Sequence, residues 1–270
     1  MINPNARFDG SIPAVYDRYL GPMLFAPYAR DLAGRVAQRR VRRLLEIACG
    51  TGIVTEALRA QLGAETEIVA TDLNEAMIAH AQLARPALTN VRWRTADAMA
   101  LPFPDADFDQ VVCQFGLMFF PDKLAAIREI RRVLRPGGRA ALSVWDSLEL
   151  NPIGRIAHES VTAFLPTDPP EFYQLPYGYS DRTELGRVLR EGGLTDVRLE
   201  VVAFEGVSES AEHAAFGLVN GNPVSIALRE RGVVDPAPLQ TALARALAAA
   251  GGAAPLRLPM RAIGIEARAA

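Results

Sequence analysis

The sequence predicts an α/β fold built on a doubly wound, mainly parallel sheet, and three observations carry that prediction. Short apolar runs alternate with helical patterns over residues 44–145, and strands separated by crossover helices pair in parallel with helices on both faces. The first run ends in a glycine turn, Glu46-Ile-Ala-Cys-Gly-Thr-Gly. An acidic residue, Asp72, closes the second run. Sheets of this kind hold ligands beyond the carboxyl ends of their strands, where the strand order reverses.

Each element follows in order. Residues 44–48 form a short apolar run bounded by glycine, as expected of a strand buried on both faces. Helical spacing follows over 55–62, and residues 67–72 give a second strand. The stretch 74–84 is a helix with Asn74 as its cap, ending before Pro86. Residues 91–95 and 108–114 are the third and fourth strands. An amphipathic helix over 122–134 stops before Arg-Pro-Gly-Gly-Arg, and 139–145 is the fifth strand. Beyond Trp145 the texture changes: residues 146–180 are rich in proline and aromatics, poor material for a regular core element. Regular patterns return with a helix at 182–194, an alternating strand at 196–206, helices at 211–219 and 239–250, and a last strand at 260–269.

Composition narrows the possible functions. Half of the 270 residues are apolar and 22% are charged, which is ordinary for a soluble globular protein with a substantial core. A formal charge of −2 gives no overall attraction to nucleic acid or to an anionic membrane. The basic run 39–43 reads as a solvated helix end leading into the first strand. Cys49 and Cys113 are the only cysteines, too few for a disulfide framework or a four-cysteine zinc site, so no metal is expected and a reducing compartment fits. The first ten residues lack the apolar core of a signal peptide, and no window approaches a membrane span. A cytoplasmic location without membrane insertion is expected.

Three ligand classes compete for the glycine turn. A dinucleotide reader needs G-x-G-x-x-G, but Thr55 stands where the third glycine belongs. A triphosphate loop needs a lysine that does not follow Gly52. A cofactor without phosphate needs only a tight turn that lets an adenosine or amino-acid group approach bare backbone. Asp72, 22 residues beyond Gly50, stands near the ~20 residues expected of a carboxylate that accepts from both hydroxyls of a ribose.

Five stretches, in order and in register, resemble the class I S-adenosylmethionine-dependent methyltransferases of the UbiE/COQ5-like group, the methyltransferase 11 type of core. They are LLEIACGTG, VATDLNEAMI, TADAMALPFPDADFD, VVCQFGLMFFPD and REIRRVLRPGGRAAL. Ala48 stands in place of the first motif's first glycine. The resemblance implies a Rossmann-like, seven-stranded sheet with its last strand antiparallel. It implies that Glu46 and the backbone of Ala48, Cys49, Gly50, Thr51 and Gly52 surround the methionine part of S-adenosyl-L-methionine. Leu73 and Met77 would pack on the adenine or ribose, Asp97 would accept from the adenine amino group, and Ala98 and Met99 would line the base. Gln114 and Phe115 would face the sulfonium.

The expected organisation is an N-terminal helical lid (1–43), a cofactor core (44–145), an irregular cap insertion (146–180) and the rest of the domain (181–270). In resembling proteins the segment before the first strand closes over the cofactor; the alternative makes its aromatics plain core. Gly21-Pro22 predicts a bend within it. Tyr16, Tyr19, Phe25 and Tyr28 from the lid, with Phe172 and Tyr177 from the cap, would wall a small apolar or aromatic acceptor. His158 and His213 are the candidate bases, although the ordinary reading of each as a packing or surface histidine is the favoured one. Two other readings stay in play: a nicotinamide-dependent oxidoreductase, and a non-catalytic S-adenosylmethionine-binding regulator. The partners expected are a small-molecule acceptor and no nucleic acid, with a homodimer left open.

Overall fold

The computed structural model describes residue 8 and residues 10–270; the start of the expected lid, and most of the stretch examined for a signal peptide, lies outside the described residues. Seven strands form one sheet: β1 (Arg43–Ile47), β2 (Glu67–Asp72), β3 (Val91–Thr95), β4 (Phe108–Gln114), β5 (Leu134–Trp145), β6 (Leu194–Ser208) and β7 (Leu256–Ala269). Their order is β3-β2-β1-β4-β5-β7-β6. The first five run parallel, and β7 lies antiparallel between β5 and β6. The winding reverses between β1 and β4, which opens the crevice at the carboxyl ends of those strands.

The helices are α1 (Ile12–Val15), α2 (Ala26–Val36), α3 (Ile53–Gln61), α4 (Glu75–Ala84), α5 (Lys123–Val133), α6 (Pro152–Phe164), α7 (Gln174–Tyr177), α8 (Arg182–Glu191), α9 (Ala211–Asn220), α10 (Val224–Glu230) and α11 (Ala237–Gly251). Strand residues alternate between two apolar layers. Leu44, Ile68, Val112 and Ala141 pack with α2 and α3, through Leu32, Val36, Val54 and Leu58. Leu45, Val69, Val111 and Ala140 belong to the opposite layer, with Ile127 and Ile130 of α5. Both faces are covered, so the parallel strands read as unbroken apolar runs.

Three local features differ from the sequence reading. The 146–180 segment is not irregular throughout, because α6 takes thirteen of its residues. Ile153, Ile156, Ala157 and Val161 give it a buried stripe at helical spacing, and Pro152 is tolerated at the first turn, where no N–H partner is needed. The helix α10 also forms where no element was expected. Gly21-Pro22, finally, does not break the N-terminal helix. Between α1 and α2 the chain stays helical over Tyr16–Phe25 with a wider, π-type turn. The Ala26 N–H reaches the Gly21 carbonyl, five residues back, so the helix accommodates proline by widening.

This N-terminal rod is core on one side. Leu20, Met23, Leu24 and Tyr28 are buried in the main apolar cluster, and Gly21 lets the rod approach Ile53 at the start of α3. Loss of residues 1–20 therefore strips Ile12 and Leu20, each 2% exposed, from the interior.

The turns after β1 and β4 touch at one point. A methyl group on Gly116 would lie 2.5 Å from Ala48 Cβ and 2.7 Å from Cys113 Sγ. Ala48 itself has φ +55, a conformation that glycine adopts without strain. Gly116→Ala is expected to lose about 1–3 kcal/mol in urea unfolding, the scale of core overpacking. Adding Ala48→Gly should recover part of that loss by removing one of the two clashes. A double variant as unstable as Gly116→Ala alone would refute this contact.

Candidate active site

The site is assembled from strand ends. Glu46, near the end of β1, is 1% exposed, and its carboxylate accepts from Thr55 Oγ1 at 2.7 Å. Asp72, the last residue of β2, is also buried. Its Oδ2 accepts from the Gly50 N–H at 2.8 Å, and its Oδ1 accepts from the Asn74 N–H at 2.8 Å and from Asn74 Nδ2 at 3.3 Å. Asn74 thus serves Asp72 instead of capping α4 with its own side chain. The turn closes through positive φ at Ala48, Gly50 and Gly52. A Cβ on Gly50 would meet nothing within 4 Å, so bare backbone faces open space there.

Burial presses both acids of the crevice toward their neutral forms. Burial pushes the Glu46 carboxyl up to about 8, with Asp72 adding to the rise and the Thr55 hydrogen bond opposing it. Burial also raises Asp72, against the N–H groups of Asn74 and Gly50. Neither carboxylate has an ion-pair partner among the described residues. Burial, then Glu46 and Asp72, lifts the Cys49 thiol far above its ordinary range, which removes the thiolate a nucleophile would need.

The nearest cation is already engaged. Arg85 forms a two-pronged pair with Asp17 of the N-terminal rod, at 2.9 and 3.2 Å, and donates to the Thr51 carbonyl at 2.5 Å. Thr51 Oγ1 donates to Asp17 Oδ1 at 2.9 Å, and His80 Nε2 lies 3.3 Å from Asp17 Oδ2. Burial opposes the charge on Asp17, but the hydrogen bonds and charge of Arg85, with Thr51 and His80, outweigh it and hold the carboxyl below its usual range. The rod is thereby fastened to the glycine turn by polar groups as well as by packing.

The remaining expected cofactor residues divide into those at the rim and those already engaged by neighbours. Leu73 is half-exposed at the end of β2, whereas Met77 is buried on α4. Asp97 Oδ1 accepts from the Met99 N–H at 2.8 Å, Ala98 is buried, and Met99 Sδ accepts from the Asp122 N–H at 3.4 Å. Gln114 Nε2 donates to the Phe25 carbonyl at 3.2 Å, leaving its Oε1 buried without a partner. Phe115, at φ +55, stacks on Trp145 with ring centroids 3.9 Å apart and planes 3° from parallel.

Of the expected acceptor walls, the structure gathers four residues around Trp145. Phe25, Tyr28 and Tyr177 lie 6.2, 5.3 and 5.9 Å from its ring, and Tyr16 stacks on Phe25 at 4.7 Å. Tyr19 is not among them: it faces His213 and Phe216 at 4.4 and 4.8 Å. Phe172 pairs with Phe119 and Tyr173 instead. His213 Nδ1 lies 3.2 Å from Ser208 Oγ, and His158 Nε2 lies 3.3 Å from Gln174 Nε2. Neither histidine makes a ring contact with the Trp145 cluster. Among the described residues no group of three or more His, Cys, Asp or Glu is placed to hold a metal ion.

Four residues of this region escaped the sequence reading. Thr55, noticed as a missing glycine, binds Glu46; Trp145, noticed as a strand end, centres the aromatic cluster. Asp17 and Arg85 carry no local signal, because 68 residues separate them.

Residues 45–142 match the family model described as a methyltransferase domain. The chain is 40% identical over 122 residues to the ubiquinone/menaquinone biosynthesis C-methyltransferase UbiE of Idiomarina loihiensis, a match covering 44% of this chain and 47% of that protein. It is 40% identical over 100 residues to the demethylmenaquinone methyltransferase of Staphylococcus aureus, covering 37% and 42%. The chain thus spans less than half the length of these relatives. Among solved structures, a phosphoethanolamine N-methyltransferase from Haemonchus contortus, in complex with phosphomonomethylethanolamine and S-adenosylhomocysteine, aligns with TM-score 0.61 at 13% identity, covering 95% of this chain and 56% of that one. That likeness concerns the fold. Over residues 45–142 the chain is thus similar to a methyltransferase domain of the kind these relatives carry.

The buried Glu46 has a consequence for stability. The folded acid keeps its proton up to about 8, whereas an unperturbed one loses it near 4.5. Folding therefore takes up a proton between those values, and stability falls as pH rises across that window, by up to about 1.4 kcal/mol per unit. Glu46→Gln is expected to flatten this slope and to leave the variant the more stable of the two at pH 8. Parallel unfolding free energies for both proteins from pH 5 to 8 would contradict the assignment.

Proposed function

We propose that this chain transfers the methyl group of S-adenosylmethionine to a small apolar or aromatic acceptor held between the N-terminal rod and the 146–180 cap. The observation that carries the reading is the turn itself: open backbone at Gly50 beside two buried acids, Glu46 and Asp72, without a cation of their own. Such a site suits a ligand that brings an ammonium, a sulfonium and a diol. Thr55, where a dinucleotide turn has its third glycine, disfavours the oxidoreductase reading. A carboxylate has about four lone-pair sites and three are taken by Gly50 and Asn74, so Asp72 can receive one ribose hydroxyl while it holds the turn, and a second where it displaces the longer bond from Asn74 Nδ2.

When bound, S-adenosylmethionine supplies an electrophilic methyl group on a positively charged sulfur. The chain's own residues bind and orient. Glu46 and the backbone of 48–52 surround the methionine part, Asp72 grips the ribose, and Leu73, Met77, Asp97, Ala98 and Met99 enclose the adenosine. The free Oε1 of Gln114 offers an acceptor to the ammonium or to the substrate. Phe115 and Trp145 present π faces to positive charge, and Tyr16, Phe25, Tyr28 and Tyr177 enclose an apolar acceptor and keep water out. Orientation of this sort supplies on the order of 7–11 kcal/mol of a barrier. With His158 and His213 turned to other partners, the acceptor oxygen, nitrogen or carbon must be nucleophilic without a histidine base. The relative named a C-methyltransferase makes carbon the first atom to test.

The reading includes a cytoplasmic location, because both cysteines are free and buried and among the described residues no helix is long and apolar enough to cross a membrane. It requires neither nucleic acid nor a second subunit.

Calorimetry of the full chain should show S-adenosylhomocysteine binding and no binding of NAD or NADP; the reverse would overturn the proposal. Asp72→Ala should weaken cofactor binding by about 1.5–3 kcal/mol, the scale of hydrogen bonds to a charged group, and unchanged affinity would remove Asp72 from the site. Transfer of labelled methyl groups to a component of a cell extract separates an enzyme from a regulator, which would bind without turnover.

The Asp17–Arg85 pair gives a separate expectation. Asp17→Asn keeps the shape of the side chain but removes the charge that Arg85 pairs with. It should speed both association and dissociation of S-adenosylhomocysteine in stopped-flow fluorescence. Unchanged rates would assign Asp17 a purely structural role.

A further inference from the structure

A second concave region lies at the amino-terminal ends of the parallel strands, a cleft of about 890 Å³. Seven arginines and three carboxylates line it. Three of the arginines are neutralised: Arg43 by Asp107 and Glu67, Arg135 by Asp109, and Arg268 by Asp196. Arg39, Arg40, Arg42 and Arg139 have no ion-pair partner among the described residues. The carboxylates cannot serve them all. Asp109 also accepts the N–H groups of Arg42 and Arg43, and Glu67 pairs with Arg92 as well.

Arg139 is the centre of this excess. It lies opposite Arg268 in the β5–β7 ladder, shares an adjoining hollow with Arg39 and Arg198, and is half-buried. Burial and the charges of Arg39, Arg268 and Arg198 all oppose its own, and only Glu266 favours it. Guanidinium groups gathered in this way without carboxylate partners are relieved by a multivalent anion, and their planar forks match phosphate oxygens in pairs. The Arg-Pro-Gly-Gly turn adds open backbone: Gly137 has φ +77, and a Cβ there would meet nothing within 4 Å. The surface is a hollow, which fits a compact ligand better than a flat membrane.

We propose that this cleft binds a compact oligophosphate, either free or carried on a nucleotide, at a site separate from the methyl-transfer crevice. Arg139 and Trp145 stand six residues apart on β5, so roughly 20 Å of strand separates the two sites. The inference does not depend on the proposed function.

Calorimetric titration of the full chain with inorganic tripolyphosphate, at low ionic strength, tests it. Saturable binding to one site is expected, weakened at least tenfold by Arg139→Gln and by the double variant Arg39→Gln/Arg42→Gln. Arg190→Gln, outside the cleft, should bind as the parent does. The double variant alters only exposed side chains, so it keeps the test informative should Arg139→Gln fold poorly. ATP in place of tripolyphosphate distinguishes the sources: affinity at least tenfold higher, and lost in the double variant, identifies a nucleotide, whereas equal affinity identifies the phosphates alone. Absence of saturable binding, or binding indifferent to both cleft variants, overturns the proposal. Tighter binding of a single-stranded oligonucleotide or of phosphatidylglycerol vesicles than of tripolyphosphate also overturns it, in favour of an extended polyanion surface.

Discussion

The hydrogen bond from the Gly50 N–H to Asp72 is the constraint on which the crevice depends. A buried carboxylate is tolerated only when its oxygens are satisfied, and here the donors come from the turn after β1 and from the start of α4. One side chain therefore fixes both the shape of the glycine turn and the exit of β2. Ala48, Gly50 and Gly52 supply the positive φ angles that let the chain fold back far enough. Glu46 is held in the same way by Thr55 from α3. The two acids are consequently aimed by secondary structure, before any ligand contributes.

The order imposed on α4 propagates to the N-terminal rod. His80 and Arg85 come from α4 and its end, and both reach Asp17. Thr51 completes the set, so the same turn that faces the ligand also holds the covering element. On the opposite side of the rod, Leu20, Met23 and Leu24 are core residues. A lid that swings freely on a Gly-Pro hinge is incompatible with that packing.

Much of the sheet was legible because parallel strands covered on both faces leave short apolar runs, and β2, β3 and β4 lie where those runs lie. The acidic residues at the ends of β1 and β2 were legible for the same reason, since their positions follow from strand ends. What stayed hidden depends on distance in sequence. The helical stripe of α6 was obscured by the prolines and tyrosines that follow it, and a π-type turn has no residue pattern that separates it from a proline bend. Trp145 is seen to centre an aromatic cluster only when β5 is placed beside Phe115, and the ring neighbours of Tyr19 and Phe172 come from elements distant in sequence or from the cap itself. The basic run 39–43 looked like a solvated helix end. Its meaning changes once the antiparallel register of β5 and β7 brings Arg139 and Arg268 beside it.

The two ends of the sheet carry opposite charge, although the formal charge of −2 hides it. In a doubly wound fold the crossover helices begin near the carboxyl ends of the strands and finish near their amino ends. Helix α3 starts directly after the glycine turn and α4 directly after Asp72, so the positive ends of two helix dipoles lie beside Glu46 and Asp72 and favour their ionised forms. Helices α2 and α5 finish before Arg39 and Arg135, where the negative ends of the dipoles favour cations. At each end the backbone field is therefore opposite in sign to the side chains placed there: acids lie at helix N-termini and arginines at helix C-termini, and each set is eased by the dipoles beside it.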